Sequence, residues 1–172
     1  MKTLFSLLLI ITLTSCSLGS KKIADKLYYR FSEPLMIMAN SDFSVQRPTA
    51  MGILANRPMV AQKSDGALLQ LNHSFWIDSP KLLLQNYLIK SFNVSPEHHD
   101  RTLKTNILKF EKKGQNSLVS IAFTLVDSEN NTLFQKTYSQ QQELSENTMS
   151  AFVDSVSKSL AIIIKALAED LK

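Results

Sequence analysis

Two hydrophobic periods run through this chain, one of two residues and one of three to four, and they divide it into strands and helices. The clearest helix is expected over 147–171, where Met149, Phe152, Val153, Val156, Leu160, Ile163, Ile164, Leu167 and Leu171 recur at spacings of three and four. Asp154, Lys158, Lys165 and Glu169 mark its opposite side. A first helix is signalled by Ser79 at a capping position and Pro80 behind it, where the missing N–H costs nothing. Leu84, Tyr87, Leu88 and Phe92 then form one stripe.

Between the helices the period drops to two. Strands are expected over 102–112, 117–126 and 132–141, with Val119, Ile121, Phe123 and Leu125 alternating in the middle one. Lys113-Gly114-Gln115-Asn116 and Asp127-Ser128-Glu129-Asn130-Asn131 supply the turns. Ahead of the first helix, strands are expected at 27–31, weakly at 42–46, at 53–62 and at 67–76. Pro58 marks the third of these as an edge or a bulge, and Ser64-Asp65-Gly66 turns it into the fourth as a hairpin. In the fourth, Leu69, Leu71, His73 and Phe75 share one face, while Gln70, Asn72 and Ser74 line the other. The pattern predicts an α+β fold, a mostly antiparallel sheet with two helices packed on one face.

The front of the chain follows another logic. Lys2, an apolar run from Leu4 to Leu13 and the small residues Thr14 and Ser15 have the form of a secretory signal peptide over 1–15, too short to span a bilayer. Leu13-Thr14-Ser15-Cys16 resembles the lipobox of bacterial lipoproteins, which implies cleavage before Cys16 and a covalent lipid on its thiol and amine. By the same resemblance, Ser17 in place of Asp points to the outer membrane. More than one acyl chain anchors stably where a single one does not. Residues 16–26 then form a lipidated tether whose Lys21, Lys22 and Lys26 solubilise it or meet anionic headgroups. Residues 27–172 remain as one domain.

Composition narrows the chemistry. With 172 residues, 44% hydrophobic and 20% charged, the chain has the material for a core, and its net charge of +4 is too small and scattered for a nucleic-acid binder. One cysteine excludes an internal disulfide framework and a cysteine zinc cluster. His98-His99-Asp100 lacks zinc spacing and reads as a solvated loop, and His73 as a half-buried, hydrogen-bonded residue. No Gly-x-Ser-x-Gly elbow appears among only 4 glycines, so no catalytic residue is assigned and no enzyme is expected. Trp76 reads either as a core residue sealing its strand against the first helix, the favoured reading, or as a partner-binding anchor. Arg101, Lys104 and Lys109, with Lys112 and Lys113, make a basic strand edge that either meets an acidic partner or phosphate, or guards against edge pairing.

Leu27-Tyr28-Tyr29-Arg30-Phe31 after the anchor, and Phe75-Trp76-Ile77-Asp78-Ser79-Pro80 leading into a Leu-rich helix, resemble the auxiliary lipoproteins of ABC-type transport systems. These are the PqiC-like lipoproteins that accompany MCE-domain lipid-transport proteins, and the meander ending in Leu125-Val126-Asp127 and the Ala-containing last helix are similar to them too. The strand before the Ser64-Asp65-Gly66 turn departs from the family, with Gln62 where relatives often carry arginine. The resemblance implies a non-enzymatic periplasmic domain without a cofactor other than the lipid on Cys16, docking an MCE-domain partner, with phospholipid-like cargo and a homo-oligomer matching a symmetric ring. A lipoprotein that binds lipid or lipopolysaccharide itself, and an assembly lipoprotein for a β-barrel or secretin, are the alternatives.

Overall fold

The computed structural model describes residues 24–37, 41–95 and 99–172. The expected signal peptide, Cys16, Lys21, Lys22 and His98 lie outside the described residues. The strands are β1 (Leu27–Tyr29), β2 (Phe43–Val45), β3 (Thr49–Ala50), β4 (Pro58–Gln62), β5 (Leu68–Trp76), β6 (Arg101–Lys113), β7 (Asn116–Val126) and β8 (Thr132–Glu143). The helices are α1 (Pro80–Ser91) and α2 (Met149–Asp170), with a short 3-10 helix at Gly52–Ala55.

All eight strands join one sheet whose main order is β1-β5-β4-β6-β7-β8. Its framework is the antiparallel meander β6-β7-β8, paired from Thr102↔Val126 to Lys113↔Asn116 and from Asn116↔Glu143 to Val126↔Thr132. The expected turns close it. Gly114 sits at φ 57°, where a side chain would strain, and the Asp127 carboxylate accepts the N–H groups of Glu129 at 2.9 Å and Asn131 at 2.8 Å.

The other side of β6 carries the segment 43–62, which runs parallel to it in three pieces. Phe43 pairs Arg101, Thr49 pairs Asn106 and Val60 pairs Glu111. The α+β expectation holds, and the sheet is mixed rather than purely antiparallel because this segment and β1 run parallel to their neighbours. The strand expected over 53–62 divides. Residues Gly52–Ala55 coil into the 3-10 helix, and Pro58 opens β4, where its absent N–H is tolerated. β4 lies between β5 and β6, so of the two meanings of Pro58 the structure takes the bulge, not the edge.

That bulge also reorders β5. From Pro58↔Phe75 to Val60↔Gln70, two residues of β4 are matched by five of β5, and the inside-outside alternation is lost. Leu71 packs against the core, but beyond it Ser74 and Trp76 are the buried residues. Asn72 and His73 are exposed. His73 therefore does not lie on a half-buried apolar face, and its imidazole makes no hydrogen bond among the described residues.

The helices start where the sequence signals. Ser79 Oγ accepts the N–H of Leu82 at 3.4 Å with Pro80 as the first residue of α1, and Thr148 Oγ1 accepts that of Ala151 at 3.2 Å for α2. Leu84, Tyr87, Leu88 and Phe92 are all buried, as are Phe152, Val156, Leu160, Ile163, Ile164 and Leu167, facing Val119, Ile121 and Phe123 in one core. The far end of α2 is clipped to the edge strand β8: Asp170 holds Lys136 at 2.6 Å and accepts the Tyr138 hydroxyl. This carboxylate sits at the unfavourable, negative end of the helix, and the lysine offsets that.

Trp76 is 1% exposed and lies at the centre of an aromatic cluster. Its ring is 5.1 Å from Phe31 in an edge-on contact, 5.5 Å from Phe110 and 6.1 Å from Phe152, centroid to centroid. It thus ties the chain after β1 to β6 and α2. Trp76→Ala is expected to cost about 3–5 kcal/mol of stability, read as a lowered denaturant midpoint; a change below about 1 kcal/mol would show that the cluster does not hold the layers together.

Candidate functional site

With the inner sheet face covered by the helices, the surfaces left for function are the outside of the helix layer and the opposite sheet face. The most apolar depression lies on the helix side. After β1 the chain leaves the sheet, buries Phe31 and crosses the helices as an irregular segment. Two bonds hold it: the Ser32 N–H donates to Ser157 Oγ of α2 at 3.1 Å, and the Ile37 N–H to the Ser91 carbonyl of α1 at 2.7 Å. The crossing walls off a groove of about 720 Å³ between Leu35, Met36 and Ile37 on one side and Ser157, Ala161 and Ile162 of α2 on the other. Leu35 is 83% exposed, Met36 65% and Ile162 45%.

The rim is charged. Lys158, Ile162 and Lys165 lie on one stripe of α2, so the two lysines bracket the exposed isoleucine. Glu33 is held by Lys90 at 2.6 Å, and Asp154 stands one turn before Lys158. Tyr87 of α1 lines the groove floor, and burial pushes its pKa up, so its hydroxyl stays protonated. The sequence reading missed this groove because residues 32–37 have no hydrophobic period; the one available signal was a run of five consecutive apolar residues, from Leu35 to Ala39, outside any expected element.

The residues singled out from sequence do not converge on one site. Trp76 is buried and presents almost no surface to a partner. Arg101, Lys104 and Lys109 lie along β6, which the sheet order places in its interior, so they form no basic strand edge; by the strand alternation Lys104 and Lys109 share the outer face and Arg101 does not. Arg101 is paired with Asp42 beside β2. Lys104 donates to Asn130 Oδ1 at 2.9 Å, and Lys109 is exposed opposite Ser120. Eight residues of strand separate Arg101 from Lys109, roughly 26 Å. Lys112 is engaged by Asn147 Oδ1 at 2.6 Å. Near the tether, Lys26 stacks over Phe75 and Arg57 over Tyr28, and the two rings touch at 5.5 Å.

No metal-binding group of three or more His, Cys, Asp or Glu residues occurs among the described residues, and His99 contacts the Ser95 carbonyl at 3.3 Å. No helix among them is long and apolar enough to cross a membrane. One acid stands apart. Glu111, 3% exposed between Lys109 and Lys113 on β6, has a carboxylate that makes no hydrogen bond among the described residues, and burial raises its pKa against the opposing pull of the two lysines.

Residues 37–168 match the sequence profile of a family described as the ABC-type transport auxiliary lipoprotein component. No curated protein matches the chain. Among solved structures, an uncharacterized protein is 16% identical with a TM-score of 0.74, covering 86% of this chain and 99% of its own. Protein XCC0632 from Xanthomonas campestris, of the DUF330 family, is 14% identical with a TM-score of 0.73 over 83% of this chain and 92% of its own. At these identities the likeness is one of fold.

The raised pKa of Glu111 has a definite sign. The folded carboxyl binds its proton more tightly than the unfolded one, so the fold loses stability as pH rises from about 4.3 through the folded value. Glu111→Gln removes that loss and is expected to raise the urea midpoint at pH 7, with the gap closing below about pH 4. Equal midpoints at pH 7 would contradict the burial cost.

Proposed function

The chain belongs to the family of ABC-type transport auxiliary lipoprotein components, and we propose that it serves an MCE-type lipid-transport system as a non-enzymatic docking domain on the periplasmic face of the outer membrane. The observation that carries this reading is the profile match, which runs from the segment before β2 to the last turns of α2. Cys16 is the anchor: its thiol and amine carry the acyl chains, and residues 17–26 tether the domain to the membrane. At most about 3.3 Å per residue, the eight residue steps from Cys16 to Ala24 reach roughly 26 Å, so the domain stays close to the bilayer.

A docking domain needs a rigid body and a free surface rather than a reaction centre. The single aromatic-rich core supplies the first, and the groove and the outer sheet face supply the second. Association of copies, as a symmetric ring partner requires, is supported by β8, a twelve-residue strand at one end of the sheet order. It carries no proline and one lysine, Lys136, which Asp170 already holds.

Cys16→Ala is expected to abolish acylation and release the protein from membranes on fractionation; unchanged, detergent-dependent retention would remove the anchor from the account. Affinity purification of the tagged lipoprotein from crosslinked envelopes, with mass spectrometry, is expected to recover an MCE-domain protein. Recovery of a β-barrel protein or secretin in its place would move the function to assembly.

A further inference from the structure

The groove on the helix layer goes beyond a docking role. We propose that it binds one acyl chain of an anionic membrane phospholipid, the hydrocarbon lying against Leu35, Met36 and Ile162 and the phosphate meeting Lys158 and Lys165. Four observations converge on this ligand. The volume, about 720 Å³, falls within the range of small-molecule sites. Its lining is aliphatic and exposed, at 83% for Leu35, 65% for Met36 and 45% for Ile162, so filling it removes apolar surface that the fold leaves in water.

The other two concern charge and donors. Lys158 and Lys165 bracket Ile162, and neither side chain makes a hydrogen bond or ion pair among the described residues, although Lys90 of α1 and Lys136 of β8 are each neutralised by a carboxylate at 2.6 Å. Two uncommitted cations beside an apolar trough fit an anionic amphiphile better than a plain hydrocarbon. Of the two acids at the rim, Glu33 is neutralised by Lys90, and Asp154 lies at the end one turn before Lys158, leaving the Lys158 to Lys165 stretch cationic. The Tyr87 hydroxyl makes no hydrogen bond among the described residues, which leaves a protonated donor in the groove for a lipid ester or phosphate oxygen.

The test uses the full-length, acylated protein in its own envelope, with a photoreactive benzophenone amino acid in place of Ile162 and, as a control, of Leu133, which is exposed on the edge strand β8. Irradiation followed by mass spectrometry of the intact protein is expected to show the added mass of one phospholipid at position 162 and none at 133. Introducing Lys158→Glu and Lys165→Glu, both on exposed side chains, is expected to lower the yield about tenfold. Equal yields at 162 and 133 would overturn the proposal. So would an adduct confined to the peptide of the protein's own acylated Cys16, which would make the anchor the occupant, or adducts to protein alone, which would make the groove a protein interface. An MCE-domain protein recovered by affinity purification alongside any of these results leaves the docking role standing, so the two readings fail separately.

Discussion

The contact on which the architecture depends is Trp76 against Phe31, Phe110 and Phe152. A mixed sheet with one covered face needs something to fix the helices over it, and strand pairing alone acts only within the sheet plane. The indole does this from the end of β5, reaching β6, the chain that leaves β1, and the first turns of α2 at once. Phe31 in turn touches Tyr87 of α1 at 6.3 Å, so both helices are referred to one ring system. Because Phe31 is pulled into that cluster, the residues after it must cross the outside of the helix layer, and the groove exists as a consequence of the crossing.

This constraint also sorts the surfaces. Everything on the inner face is spent on packing, which leaves the groove with its lysines, the outer face of β6-β7-β8 and the aromatic pair Tyr28–Phe75 beside the tether. The outer sheet face is lined by small polar groups, such as Ser120 and Ser139, whose hydroxyls bond to each other at 2.8 Å. Such a face suits solvent or a polar partner, while the groove is the place where apolar surface is offered. A membrane-tethered accessory with one polar and one amphiphilic face can meet a protein and a lipid without rearranging.

Much of the fold was legible because its signals are local. Ser79-Pro80 names a helix start by chemistry alone, the stripe of α2 follows from spacing, and the alternation of β7 gives both strand and face. What failed was non-local. That Pro58 sits in an interior strand depends on β6 running beside it some fifty residues later, and that Arg101, Lys104 and Lys109 lie within the sheet rather than at its edge depends on the same pairing. The inversion within β5 comes from a register slip against β4 that no residue of β5 announces. The candidate site was the least legible part: the buried position of Trp76 was anticipated as the favoured reading, but the groove is built from an aperiodic segment and the outer, less hydrophobic side of a helix whose inner stripe dominates its pattern. The family, by contrast, was legible from short sequences around Tyr28, Trp76 and Pro80, and the profile match over residues 37–168 agrees with it.

The central claim is that a rigid, lipid-anchored domain docks a transport partner through its outer surfaces. Hydrogen–deuterium exchange on the membrane-anchored protein, with and without the MCE-domain protein proposed as its partner, tests this most directly. The account predicts slowed exchange confined to outward-facing segments, with the core strands β6 and β7 unchanged. Exchange identical in both states at saturating partner would contradict it.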